Sequence, residues 1–254
     1  MTKLSVNVNK IASLRNARGG NNPNLIQVVK DCESYGAEGI TVHPRPDERH
    51  IRYNDTIELG KIVKKEFNIE GNPNDRFMKL VTDVKPTQVT LVPDRIEAIT
   101  SNSGWNTKKN FSFLKEIIDE LKSNSIRVSV FIDPNLEMIE YAKKLSADRI
   151  ELFTGQYAKL FIKDRKNAIK PYIECSKLAK EINIGVNAGH DLNQENLKYF
   201  NNSLNNLLEV SIGHALICES IYEGLEKTIK SYLDILNNLS IDEAKKQILI
   251  CQIV

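Results

Sequence analysis

No stretch of this sequence reaches the 18 or more apolar residues that a membrane-spanning helix needs. The first ten residues, MTKLSVNVNK, hold no apolar core of signal-peptide length. Strong net charge is missing as well. The 254 residues carry a formal charge of only +2, which gives no electrostatic case for nucleic acid or an anionic membrane as the main partner. Cysteines are few, and Cys32, Cys175, Cys218 and Cys251 form no CxxC spacing. No zinc or other metal site is expected from them, and reduced thiols in a cytoplasmic protein are the plain reading. The phosphate-binding patterns GxGxxG and GxxxxGK[ST] are absent, and so is any linker or low-complexity boundary. What is present is an ordinary soluble composition, 41% hydrophobic and 27% charged, in a chain long enough to bury a full core.

Eight short β-branched runs recur: LSVNV (4–8), GITVH (39–43), FNIE (67–70), QVTLVP (88–93), RVSVFID (127–133), RIELF (149–153), IGVNA (184–188) and LLEVSIG (207–213). Most read as apolar on both faces, as buried parallel strands do. Between them, apolar residues fall at helical spacing. Leu25, Val28, Val29 and Cys32 follow Pro23 and end at Tyr35-Gly36, and similar patterns surround Leu59, Leu80, Ile117, Ile139, Leu178 and Phe200. Ile217, Ile221, Leu225, Ile229 and Leu233 repeat every four residues as an eighth helix. Eight strands alternating with eight helices predict an α/β fold, a (β/α)8 TIM barrel in a single domain, over residues 1–239. A doubly wound sheet is the competitor, but it would need the missing glycine-rich turn. Residues 240–254 form a C-terminal tail of unknown role; its ILICQIV segment would pack on the barrel or on a neighbouring subunit.

In such a barrel, chemistry gathers where the strands end. There are only four histidines, yet His43 and His50 stand with Arg45, Arg49 and Arg52 within ten positions. In a chain of balanced charge, so local a cluster suggests a small anion. His43, His190 and His214 each follow a strand, His50 lies on a strand-following loop, and no histidine is expected in a helix. Glu70 and Glu151 sit inside apolar runs, where burial raises a carboxyl pKa toward neutrality; such groups are the usual acids and bases. Two turns suit oxyanions. RNARGG offers Arg15 and Arg18 beside two glycines, and Gly213-His214 precedes a helix at the usual phosphate position. Each residue also has a structural reading. A strand-end histidine can bond a loop carbonyl, Glu70 can pair with a nearby cation, Glu151 with Arg149, Asp133 can cap a turn, and Gly213 can be only a tight turn. The segment 72–79 (NPNDRFMK) and the loop from Asp94 to Asn110 are candidate lids.

Together VNVNKIASLRNARGG, GITVHPRPDERHI, NIEG, LVPD, RIELFTG, VNAGHDL and SIGHALI resemble the pyridoxine 5′-phosphate synthase family, in order, from residue 4 to about 236. The resemblance implies a TIM barrel assembled as a homo-octamer, a tetramer of dimers, with no metal or organic cofactor. It implies two phosphorylated substrates, 3-amino-2-oxopropyl phosphate and 1-deoxy-D-xylulose 5-phosphate, condensed to pyridoxine 5′-phosphate, phosphate and water. By the same resemblance His43 and Glu70 would accept protons, His190 would donate one, and Glu151 would stabilise the transition state. Asn7, Arg18, Asp191, Gly213 and His214 would hold the amino-ketone phosphate, and Arg45, His50 and Thr100 the pentulose phosphate. This chain departs from the pattern at Asn9-Lys10, where Asp-His is common and helps bind the pentulose phosphate. Phe153 stands where many members have His, and Asp191 where Gly is common. The rivals are another sugar-phosphate isomerase or lyase, or a barrel that binds phospholigands without catalysis.

Overall fold

The computed structural model describes residues 1–94, 101 and 103–237; Thr100 and the tail 240–254 lie outside them. Eight strands close a barrel in chain order: β1 (Lys3–Asn7), β2 (Gly39–Val42), β3 (Glu66–Gly71), β4 (Gln88–Leu91), β5 (Arg127–Ile132), β6 (Arg149–Phe153), β7 (Gly185–Gly189) and β8 (Leu207–Ile212). All pairings are parallel, including β8 back to β1. Among the described residues the helices are α1 (Asn9–Arg18), α2 (Leu25–Ser34), α3 (Tyr53–Gly60), α4 (Asp75–Val84), α5 (Phe111–Ser123), α6 (Leu136–Lys144), α7 (Gly155–Glu181), α8 (Leu197–Ser203), α9 (His214–Glu223) and α10 (Leu225–Leu236). None is long and apolar enough to cross a membrane. The fold is the expected (β/α)8 barrel, with strand limits within two residues of the expected ones.

Three local expectations change. NKIASLRNAR is a helix, α1, and not an open loop; it buries only Ile11, Ala12 and Arg15, too narrow a stripe to stand out in the sequence. The apolar series from Ile217 to Leu233 is two helices, because Gly224 at φ 85° breaks it into α9 and α10. His214 is the first residue of α9, so one histidine does lie in a helix.

The strands are not apolar on both faces. Leu4, Val6, Ile40, Ile69, Val89, Val130, Leu152 and Val210 are fully buried in the main core. At the alternate positions Ser5, Thr41, Asn68, Thr90, Ser129, Asn187 and Glu209 are buried and polar. Since side chains alternate across a strand, one set faces the helices and the other fills the barrel. The inner set bonds around the ring. Ser5 and Thr41 hydroxyls lie 2.7 Å apart, the Thr90 hydroxyl donates to Asn68 at 3.0 Å, and Arg127 donates to Gln88 at 2.9 Å. A polar lumen is unusual where bulky branched residues normally fill the space. It leads directly to the mouth where β1–β8 end.

Candidate active site

The strand ends open into one cavity of about 590 Å³. Its deepest acids are Glu70, at the end of β3, and Glu151, on β6; Gly189 across from Glu151 has no room for a side chain, since a Cβ there would lie 2.6 Å from the Glu151 Oε1. Burial first, and then the charges of Glu151 and Asp94, push the Glu70 carboxyl well above its ordinary range. Burial and Glu209 raise Glu151 to about 8, although contact with the Thr90 hydroxyl, 3.4 Å away, works the other way.

His43 faces Glu70, with Nδ1 4.0 Å from Oε2. Burial, then Arg45, His50 and Arg49, hold the imidazole well below its usual pKa. Both shifts work against an ion pair and favour the neutral imidazole and the protonated carboxyl. The expected pairing of Glu70 with a lysine or arginine is replaced by this neutral couple. The His43 N–H donates to Asn9 Oδ1 at 2.9 Å, and Asn9 N–H donates to Asn7 Oδ1 at 3.1 Å, so β1 and β2 are tied together just under the site.

His190 follows β7 with φ 90°, and Asp191 follows with φ 59°. Two successive left-handed residues swing the imidazole back over the mouth. The turn is held from the starts of α7 and α8: the Thr154 hydroxyl meets the carbonyl of Gly189 at 2.6 Å and also that of His190, while the Asn196 amide donates to the carbonyl of Asp191 at 3.1 Å. Asp191 Oδ2 lies 3.1 Å from His190 Nδ1. An ionised carboxylate only accepts, so Nδ1 carries a proton and Nε2 is the working nitrogen. The hydrogen bond from His190, against burial, keeps Asp191 below the usual carboxyl range. The imidazole stands edge-on to Phe153 at 5.0 Å.

The cationic wall comes from the loop after β2. His50 Nδ1 accepts from Ile51 N–H at 2.9 Å, which places the neutral ring's proton on Nε2. Burial, Arg45 and Lys10 push His50 down to about 4. Buried Arg45 pairs closely with Asp94, whose carboxylate also accepts from Ser101 at 2.7 Å. Lys10 lines the cavity at its exposed rim. Across the mouth, Gly213 lets β8 approach Asn7, where an added Cβ would sit 3.0 Å from that of Asn7; His214 then opens α9 beside it.

The structure thus brings together Asn7, Asn9, Lys10, His43, Arg45, His50, Glu70, Glu151, His190, Asp191, Gly213 and His214 around one cavity. Arg18 ends α1 in the open and is not among the lining residues. Arg15, expected beside it as an anion ligand, is buried and bidentate on Asp55 at 2.7 and 2.7 Å; it braces the His50 loop, whose carbonyl also accepts from Asn16 at 2.8 Å. Glu151 does not pair with Arg149, which turns to Glu209 at 3.4 Å. Asp133 accepts the Gly104 N–H at 3.0 Å and anchors the returning loop, while Asn135 caps α6. Of the two candidate lids, Asp75 to Lys79 belongs to α4. Sequence reasoning missed Val92 and Phe131 in the lining and Glu209 beneath it; the polar–apolar alternation of the strands was the available signal for the last.

Comparison with known proteins follows the same lines. The family model described as "Pyridoxal phosphate biosynthesis protein PdxJ" matches residues 4–238. A protein of Parabacteroides distasonis named pyridoxine 5′-phosphate synthase is 58% identical over 238 residues, covering 94% of this chain and 100% of its own. One of the same name from Cytophaga hutchinsonii is 60% identical over 233 residues, with 92% and 98% covered. Among solved structures, a phosphoribosylanthranilate isomerase from Thermotoga maritima shares the fold at TM-score 0.59 and 14% identity, over 94% of this chain and 100% of that one. Thiamine phosphate pyrophosphorylase from Pyrococcus furiosus does so at TM-score 0.60 and 13% identity, over 94% and 97%.

Proposed function

The chain belongs to the PdxJ family of pyridoxal phosphate biosynthesis proteins, and from that premise we propose that it is a pyridoxine 5′-phosphate synthase acting in vitamin B6 biosynthesis. It condenses 3-amino-2-oxopropyl phosphate with 1-deoxy-D-xylulose 5-phosphate. The observation that carries this reading is the convergence of two carboxyls, Glu70 and Glu151, and two histidines, His43 and His190, on one cavity with cationic and amide-lined walls.

The amine attacks the pentulose ketone and water leaves as the Schiff base forms. Proton removal and phosphate loss follow, then water addition and an aldol-type closure of the ring, with two further waters lost on the way to the aromatic product. Every step moves a proton, which asks for several acids and bases held near neutrality. His43, kept neutral, accepts protons. Glu70 exchanges one with it across the 4.0 Å gap; a carboxyl with a raised pKa is also the stronger base once ionised. His190 donates, with Asp191 fixing its tautomer, and Glu151 stabilises charge that develops beside it. Arg45 and His50, with Thr100, hold the pentulose phosphate; Asn7, Arg18 and the Gly213-His214 helix start hold the amino-ketone phosphate, with Asp191 beside them. The catalytic unit is residues 1–239. By resemblance the enzyme is cytoplasmic and works as a homo-octamer.

The test is direct. Purified protein given both substrates forms pyridoxine 5′-phosphate and free phosphate, and neither appears with one substrate alone. Turnover of a single phosphorylated sugar would instead favour an isomerase or lyase, and binding without product a non-catalytic barrel.

A further inference from the structure

We propose that Val92, Phe131 and Phe153 form a methyl-recognition wall that makes the site select a pentulose phosphate ending in CH3 over one ending in CH2OH; this rests on the function proposed above. The three residues are a buried apolar cluster of their own, at 2%, 4% and 5% exposure, separate from the main core. Val92 and Phe131 line the cavity, and Phe153 backs them, its ring 5.6 Å from that of Phe131. Below them the inward positions of the same strands are Thr90, Ser129 and Glu151, so on the β4–β6 side the inward face changes from polar to apolar at this level; the other apolar lining residues, Leu192, Ile212 and Ala215, lie across the mouth after β7 and at the end of β8. A patch without a donor, an acceptor or a charge neither binds phosphate nor moves a proton. It can contribute only by excluding water from an apolar group.

Only one such group exists in the two substrates: the C1 methyl of the pentulose. The geometry puts it at the wall. Asp94, in contact with Arg45, marks the cationic spot assigned to the pentulose phosphate. Val92 lies two residues earlier in the chain, roughly 6–7 Å away if the backbone stays extended. In an extended pentulose, C1 lies about 5 Å from the phosphate-bearing C5, counting about 1.5 Å for each of four angled bonds. A phosphate on Arg45 therefore directs C1 toward Val92 and Phe131, with the neighbouring ketone carbon set toward Glu151, the register partner of Phe131. Phe153 extends the wall on β6, where its ring also meets the His190 imidazole edge-on at 5.0 Å.

The experiment compares kcat/KM for 1-deoxy-D-xylulose 5-phosphate and for D-xylulose 5-phosphate, with the amino-ketone phosphate as co-substrate throughout. An apolar pocket rejects an added hydroxyl by about 100-fold, which sets the ratio expected of the wild type. Val92→Thr keeps the shape and adds a hydroxyl; it should lower that ratio about tenfold. Phe153→His should lower it about threefold, and KM for the amino-ketone phosphate should hold within twofold in both. Thermal melts establish that each variant is folded, and Phe153→His alone carries the test if Val92→Thr is not. A wild-type ratio below about threefold, or folded variants whose ratios stay within twofold of wild type, overturns the wall alone. A wild type that makes no product from the 1-deoxy sugar overturns the proposed function, and the wall with it.

Discussion

The lumen of the barrel holds carboxyls at two depths, and the cations that meet the floor pair are missing at the mouth. At the N-terminal floor, Glu66 lies between Lys3 and Arg127, and Glu209 lies 3.4 Å from Arg149. At the mouth, Glu70 faces a neutral imidazole at 4.0 Å and Glu151 a threonine hydroxyl at 3.4 Å. Burial pushes all four carboxyls up. For Glu66 the hydrogen bonds from Lys3 and Arg127 outweigh burial and leave it below its usual range. For Glu209 burial wins over Arg149 and the more distant Arg127 and Lys3, and the carboxyl stays raised. Glu70 rises well above its range, and Glu151 reaches about 8. The residue type is constant. What differs is how much positive charge each one meets, and that decides whether it braces the barrel as an anion or holds a proton for chemistry.

The comparison breaks most severely at the floor. Arg149→Met removes the cation beside buried Glu209, and truncating one partner of a buried pair destabilises by about 3–5 kcal/mol. Denaturant unfolding should show the loss, and its pH dependence identifies the cause. Without Arg149 the folded-state pKa of Glu209 rises further above its unfolded value, so the native state holds a proton that the unfolded chain releases. The added instability is then absent while Glu209 is protonated in both folded proteins and grows as pH rises past the raised folded-state pKa that Glu209 has in the wild type. A loss independent of pH would mean that Arg149 matters only for packing.

At the mouth the same logic inverts. Glu70→Gln should lower turnover at least about 100-fold, a barrier increase of about 2.7 kcal/mol, with phosphate-ligand binding nearly unchanged. It should also stabilise the fold. The raised pKa of Glu70 means that ionising it opposes folding, increasingly so above the unfolded carboxyl pKa, and glutamine escapes that penalty. The stability difference between Glu70→Gln and wild type should therefore grow with pH. Near-normal turnover would remove Glu70 from the mechanism, and an equal loss of stability and activity would make it another floor residue.

The floor was also the less legible region. Eight β-branched runs separated by helical spacing suffice for the barrel, since few other folds use that alternation. His43, Glu70, Glu151 and His190 follow from strand ends alone. The lumen does not. An isolated serine, threonine or asparagine in a strand such as KLSVN carries no mark of facing inward until the sheet closes, so the runs read as apolar throughout. Arg15 misled for a related reason. Beside two glycines it looks like an anion ligand, but α1 turns it onto Asp55, forty residues away in the sequence. The His190-Asp191 turn depends on Thr154 and Asn196, and nothing in NAGHD indicates either partner.

Glu209→Gln joins the two depths. Glu209 is the second cause, after burial, of the raised pKa of Glu151, so removing its charge lowers that pKa. If the protonated form of Glu151 is the active one, the alkaline limb of the rate profile, expected near pH 8 in the wild type, should move to lower pH by less than about one unit. A limb that stays in place would separate floor from mouth electrostatically.

The smallest effect lies at the rim, where Asn9 and Lys10 stand in place of the Asp-His that the resemblance leads one to expect and tell structural from electrostatic roles within the mouth itself. Asn9 keeps an oxygen for the His43 N–H, an interaction either residue type can supply, so its truncation should act mainly through the position of His43 and lower turnover. Lys10 is exposed and acts across solvent on the side of His50. Lys10→Ala should therefore weaken pentulose phosphate affinity only about threefold at low salt, and less as ionic strength shortens the screening length to about 8 Å. A loss that ignores salt would mean that Lys10 reaches the phosphate directly, and unchanged affinity in both variants would give this segment another purpose.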